Sequence, residues 1–135
     1  SPVERLRDAA ESVRVLVGRL VTGPMLHAPA YALRGDATGP SIYSANDIQV
    51  IVEAQDEGQS GSFYSLLAIT TGIPEPGLFS ATLWHDDVTV ARTALDPSGN
   101  FLFTHLPPGA YDIILEGPDL QVHLPAIVVG GDPPP

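Results

Sequence analysis

The sequence predicts a mainly β protein: an antiparallel β-sandwich of about seven to nine strands carrying one N-terminal α-helix. Three observations carry that expectation. From Ser41 onward, short runs alternate apolar and polar residues, as half-buried strands do. Segments rich in Gly, Pro and Asp separate these runs at the regular spacing of a sandwich or barrel. Ahead of them, one stretch repeats its apolar residues at intervals of three and four, the period of a helix. With 135 residues, 44% hydrophobic and 16% charged, the chain has the size of one domain and can bury a core without staples.

Residues 2–22 are the predicted helix. Pro2 suits a first-turn position, and Gly23-Pro24 stops the element. Val3, Leu6, Ala10, Val13, Val17 and Leu20 form the apolar stripe, with Arg5, Arg7, Glu11 and Arg14 largely off it. The β-branched Val13, Val15 and Val17 weaken the helix and allow a strand over the same residues. Such a stripe usually faces a core, so docking on the sandwich is expected, with a helix-mediated homodimer as the sharper reading. Residues 23–40 form a predicted loop, with Tyr31-Ala32-Leu33 its only candidate short element. Loops of this length often carry function.

Residues 41–130 are the predicted sandwich. Ser41 to Ala45 is a short strand, and Asn46-Asp47 a tight turn. Ile48 to Gln55 places Ile48, Val50, Val52 and Ala54 on one face. Ser62 to Thr71 is apolar on both faces, which suits a central strand. Leu78 to His85 turns Phe79, Ala81 and Leu83 inward. Asp86-Asp87 leads into Val88 to Leu95, where Arg92 breaks the Val88–Val90–Ala94 face and leaves the register open. Asp96-Pro97-Ser98-Gly99-Asn100 has type I turn chemistry, with Gly99 supplying a left-handed residue. Phe101 and Phe103 alternate inward. In Leu106-Pro107-Pro108-Gly109 the Gly after Pro fits a type II turn with positive φ at Gly109. Tyr111, Ile113 and Leu115 share a face, and Gly117-Pro118-Asp119 turns again. Val122 and Leu124 alternate, Pro125 interrupts, and Ala126 to Val129 is the last strand. Residues 131–135 read as a linker-like tail. No internal repeat is visible.

Composition narrows the function. The net charge is −10, with six Arg and no Lys. Phosphate backbones need clustered basic residues, so nucleic acid is a poor partner, and anionic membrane is disfavoured likewise. No apolar run approaches a membrane span, and no signal peptide is visible. A start at Ser1 reads as an excised or processed piece. The lack of cysteine removes disulfides, thiolate zinc sites and thiol catalysis. It leaves the compartment open between cytoplasmic and extracytoplasmic for a chain read as soluble.

Catalytic signatures are missing: no nucleophile elbow, phosphate-cradling loop or paired zinc histidines. His27, His85, His105 and His123 form no close-spaced pair, so a metal site would need convergence from separate strands. Asp86-Asp87 and Asp96 to Asn100 offer oxygen ligands, but both are already explained as turns. No cofactor is expected, and the chain is read as not an enzyme. Arg34-Gly35-Asp36 matches an integrin-type tripeptide, a pattern with a high chance frequency.

The stretch Gly99-Asn100-Phe101-Leu102-Phe103, followed by Leu106-Pro107-Pro108-Gly109-Ala110-Tyr111-Asp112-Ile113, resembles the "G-x-F-x-F, then L-P-P-G-x-Y-x-L" signature of carboxypeptidase regulatory-like domains. Phe79 to Trp84 fits an early strand of that family, and Val122 to Val129 its last ones. The resemblance spans about residues 66–129, and residues 1–60 stand outside it as an extension. It implies a transthyretin-like (prealbumin-like, Ig-like) sandwich and says little about activity. It further implies an accessory module of a larger bacterial regulatory or envelope protein.

The leading functional expectation is therefore a non-catalytic protein-interaction or structural module. Its partner would be another protein or a neighbouring domain of the same polypeptide, with homodimerisation through the helix or an open sheet edge as a further route. The alternative is a carbohydrate-binding module, in which Trp84 and Tyr64 face outward and stack on sugar rings. Burial of Trp84 under the N-terminal extension competes with that reading. A metal-dependent hydrolase is the second alternative. Candidate contact residues are Trp84, Tyr64, Arg34 and Tyr31.

Overall fold

The structure is a computed structural model and describes residues 13–22, 40–58 and 63–130. These residues form ten strands: β1 (Arg14–Val17), β2 (Arg19–Thr22), β3 (Ser41–Ala45), β4 (Ile48–Asp56), β5 (Tyr64–Thr71), β6 (Ser80–His85), β7 (Val88–Ala94), β8 (Asn100–Leu106), β9 (Gly109–Glu116) and β10 (Leu120–Val129). A 3-10 turn at Pro76–Leu78 precedes β6. Sheet I has the order β1-β10-β9-β6-β7, and sheet II the order β2-β3-β4-β5-β8. Neighbouring strands are antiparallel except β1, which runs parallel to β10. The predicted mainly β architecture is present as two sheets around one core.

Period-two alternation builds that core. Ile48, Val50 and Val52 of β4, Leu66 and Ala68 of β5, and Phe101 and Phe103 of β8 turn inward from sheet II. Ala81 and Leu83 of β6, Tyr111, Ile113 and Leu115 of β9, and Val122, Leu124, Ile127 and Val129 of β10 meet them from sheet I. Phe101 and Phe103 pack edge to face, with ring centroids 5.8 Å apart.

The predicted N-terminal helix is corrected where it is described. Residues 14–22 are two short strands, and Leu16 and Leu20 pack on the core while Val15 and Val17 stand outside it. Backbone pairing with β10 outcompetes the helical period: Arg14 N–H donates to the Asp119 carbonyl at 3.0 Å, and Gly18 N–H to the His123 carbonyl at 2.7 Å. β-branched residues favour that choice. At Gly18 the chain passes from sheet I to sheet II, and a Cβ there would strike Leu124. Residues 2–12 of the expected helix, and 23–39 of the expected loop, lie outside the described residues.

The Asp96 turn forms as its chemistry predicts. The Asp96 carboxylate accepts from Ser98 and Asn100 N–H, both at 2.9 Å, and Gly99 has φ +90 with the Thr70 carbonyl where a Cβ would be. The turn after β8 differs from expectation. Gly109 does not take positive φ; His105 does, at 59°, where β8 bulges against β5 between the Phe103–Leu66 and Leu106–Tyr64 pairs, just ahead of the Pro107-Pro108 reversal. Glu57 holds that bulge by accepting the His105 backbone N–H at 2.6 Å.

Pro125 interrupts the pairing of β10 without ending the strand. The register shifts between Leu124 and Ile127, with Ala126 at φ 58°. Asp112 on β9 accepts the Ala126 N–H at 2.9 Å, so the freed donor is satisfied across the bulge.

Candidate binding surfaces

Sheet II is apolar on its outside as well as its inside. The cross-strand register sets Ile42 of β3 beside Ile51 of β4, and Ile51 beside Ile69 of β5. In the next row Leu67 pairs with Leu102 of β8, and with Glu53 of β4 on its other side. Leu67, Ile69 and Leu102 are 38%, 39% and 49% exposed. A run of aliphatics therefore crosses the outer face of sheet II in a chain that otherwise carries a net charge of −10.

Sheet I carries a different feature. A cleft of about 280 Å³ lies on its outer side, lined by Trp84, Asp87, Asp112, Ile114, His123 and Pro125 among others. Trp84 is the direct cross-strand partner of Asp112, and Ile114 of His123, so strands β6, β9 and β10 bring these residues together. Leu83 is fully buried, so Trp84, its neighbour on the pleat, turns outward and is half-buried. Its indole Nε1 is buried without an acceptor among the described residues. Asp87 comes from the two-residue β6–β7 turn, where Asp86 and Asp87 both have positive φ, at 49° and 65°. Pro125 enters as the outward neighbour of buried Leu124 on the pleat of β10.

The other candidate residues fall elsewhere. Tyr64 packs against the core from β5 of sheet II, near Pro108 and Gly130, so it shares no surface with Trp84. Phe63 is the exposed aromatic of that pair, stacked on His105 at 3.8 Å. Arg34 and Tyr31 lie outside the described residues, as does His27.

Three histidines are described, and they do not converge. His85 contacts the Ala110 carbonyl through Nδ1 at 2.9 Å and Asp86 through Nε2 at 3.3 Å. His105 approaches Glu57 at 3.6 Å, and His123 approaches Gln121 at 3.2 Å. Among the described residues no group of three or more His, Asp or Glu is placed to hold a metal ion. No helix of the described residues is long and apolar enough to cross a membrane.

Two tyrosines are electrostatically perturbed. Burial raises the phenol pKa of Tyr43 and of Tyr111 above the ordinary value. Tyr111 donates its O–H to the Pro107 carbonyl at 2.6 Å, tying β9 to the turn that precedes it.

Sequence reasoning missed the aliphatic outer face of sheet II and the acidic flank of Trp84. The doubly apolar run Leu66-Leu67-Ala68-Ile69 was the one available signal for the first. Comparison with protein-family models, with curated proteins and with solved structures returned no match.

Proposed function

We propose that this chain is a non-catalytic interaction module that docks a protein surface of aliphatic character on the outer face of sheet II. The observation that carries this reading is the Ile42–Ile51–Ile69 row with Leu67 and Leu102 beside it. Charge supports a protein partner. The described chain is strongly acidic, yet Glu53 is the only ionisable residue within these two rows. Depletion of charge at an exposed apolar patch is the composition of an interface centre. The partner is then another protein or a neighbouring domain of the same polypeptide.

Within the same proposal, the module belongs to the carboxypeptidase regulatory-like group and serves a larger bacterial regulatory or envelope protein. The hydrogen-bonded Asp96 turn and the Tyr111–Pro107 tie support that assignment, because they fall on the residues that carry the resemblance.

Photo-crosslinking tests the docking face. A benzophenone amino acid is placed at Leu67, Ile69 or Leu102 in the full parent polypeptide, with Val88 on β7 as the control position. The expected outcome is crosslinks from the three sheet II positions to one defined protein surface, and none from position 88. Crosslinks of equal yield from Val88, or none at all from the three, would overturn the reading.

A further inference from the structure

We infer that the cleft around Trp84 on sheet I is a binding site for an arginine side chain presented by a protein partner. The argument rests on donor and acceptor chemistry. Two carboxylates, Asp87 and Asp112, line the cleft with the indole of Trp84, and among the described residues no Lys or Arg lines it. Arg92, the one described arginine on the neighbouring β7, donates instead to Ser80 Oγ at 3.1 Å.

Carboxylates only accept hydrogen bonds, so the cleft's charged groups match a ligand made of donors. A guanidinium is such a ligand, with five donors and no acceptor. It also lies favourably against an indole, where stacking and cation–π attraction add to the ion pairs. A volume of about 280 Å³ holds one side-chain head and its methylene stem, and is below the usual size of a drug-like pocket. Ile114 and Pro125 supply apolar wall for that stem. The net charge of −10 steers a cationic segment toward the same surface.

A neutral sugar fits less well. Sugar hydroxyls need donors as well as acceptors. The one indole donor is buried, and Nε2 of His123 already sits 3.2 Å from Gln121. The protein source of the arginine rests on the interaction-module reading. The cleft does not, since it lies on the other sheet.

Trp84 is the single tryptophan of the chain, so its fluorescence reports the site directly. N-acetyl-arginine methylamide is titrated into the full chain. N-acetyl-citrulline methylamide, of the same shape without charge, and methyl glucoside are the comparison ligands. The expected result is a saturable millimolar response to the arginine probe alone, weakened about tenfold in the Asp87→Asn/Asp112→Asn double variant. Both single variants keep local geometry: Asn at 112 retains an acceptor for the Ala126 N–H, and Asn tolerates the left-handed backbone at 87. Should the double variant melt early, each single variant is expected to weaken binding by itself. Equal binding of citrulline, saturation by the glucoside but not by arginine, or unchanged affinity in every variant would sink the proposal. None of these outcomes bears on the crosslinks expected from sheet II.

Discussion

Tyr111 shows how one residue serves packing, topology and titration together. Its ring fills the core, its hydroxyl ties the strand to Pro107, and burial raises its pKa. Tyr111→Phe removes one part-buried hydrogen bond and leaves the Pro107 carbonyl to water, a loss of about 1 kcal/mol expected in urea unfolding. The pH dependence follows from the direction of the shift. Native Tyr43 and Tyr111 hold their protons more tightly than the unfolded chain does. Their contribution is complete below the unfolded phenol pKa of about 10 and is lost as pH rises through the native values. Unfolding free energy is therefore expected to fall as pH rises above about 10, the unfolded phenol value, and to fall less in Tyr111→Phe. A flat profile for the parent chain over that range would contradict this account. At this scale much was legible. Asp96, Pro97 and Gly99 announce their turn because side-chain bonding and positive φ are local properties. Gly109 misled, because the positive φ falls at His105, in a bulge of β8, and the His105 amide is bonded to Glu57, a carboxylate 48 positions away along the chain.

Elements were legible where one face is buried and the other wet, as in β4 and β9. They were misread where a stripe fits two periods. The predicted stripe ran through Val17 and Leu20, yet Val17 is exposed and the inward pair is Leu16 and Leu20, four apart, a spacing that also suits a helix. They also sit on either side of Gly18, where the chain changes sheets, so two strands bury the same pair. Sequence alone does not supply the exposed edge of β10 that decides between them. Gly18 is the hinge of this arrangement, and its amide is bonded to His123. Gly18→Val forces a side chain into Leu124, with an expected cost of about 1–3 kcal/mol. Hydrogen exchange should show β1 amides losing protection while those of β4 and β5 keep theirs. Protection of β1 unchanged in Gly18→Val would remove the hinge from this account. β5 teaches the converse lesson: apolar residues on both faces suggested a central strand, and it does lie between β4 and β8, yet Leu67 and Ile69 on its outer face remain open.

At the level of the whole molecule, the two candidate surfaces lie on opposite sheets, and neither follows from a contiguous motif. Trp84 and Asp112 become neighbours only through the β6–β9 register, and Ile42, Ile51 and Ile69 only through pairing of three strands. Charge is the property sequence states fully. Sixteen acidic residues against six arginines repel within a compact fold. Raising NaCl from about 20 mM to about 300 mM screens that repulsion, and the melting temperature is expected to climb by a few degrees. A fall instead would mean that specific ion pairs outweigh the net field. The same salt should weaken the arginine probe at Trp84.

The strap formed by β1 and β2 has a consequence for assembly. It closes one lateral side of both sheets with strands of four residues each, whereas the other side ends in β7 and β8, seven residues each. Templating by strand addition favours long free edges and starves on short ones. Growth from this molecule is thus one-directional. Two copies meeting through their β7 edges would present only short strands outward, and the chain would stop at a pair instead of running on into a fibre.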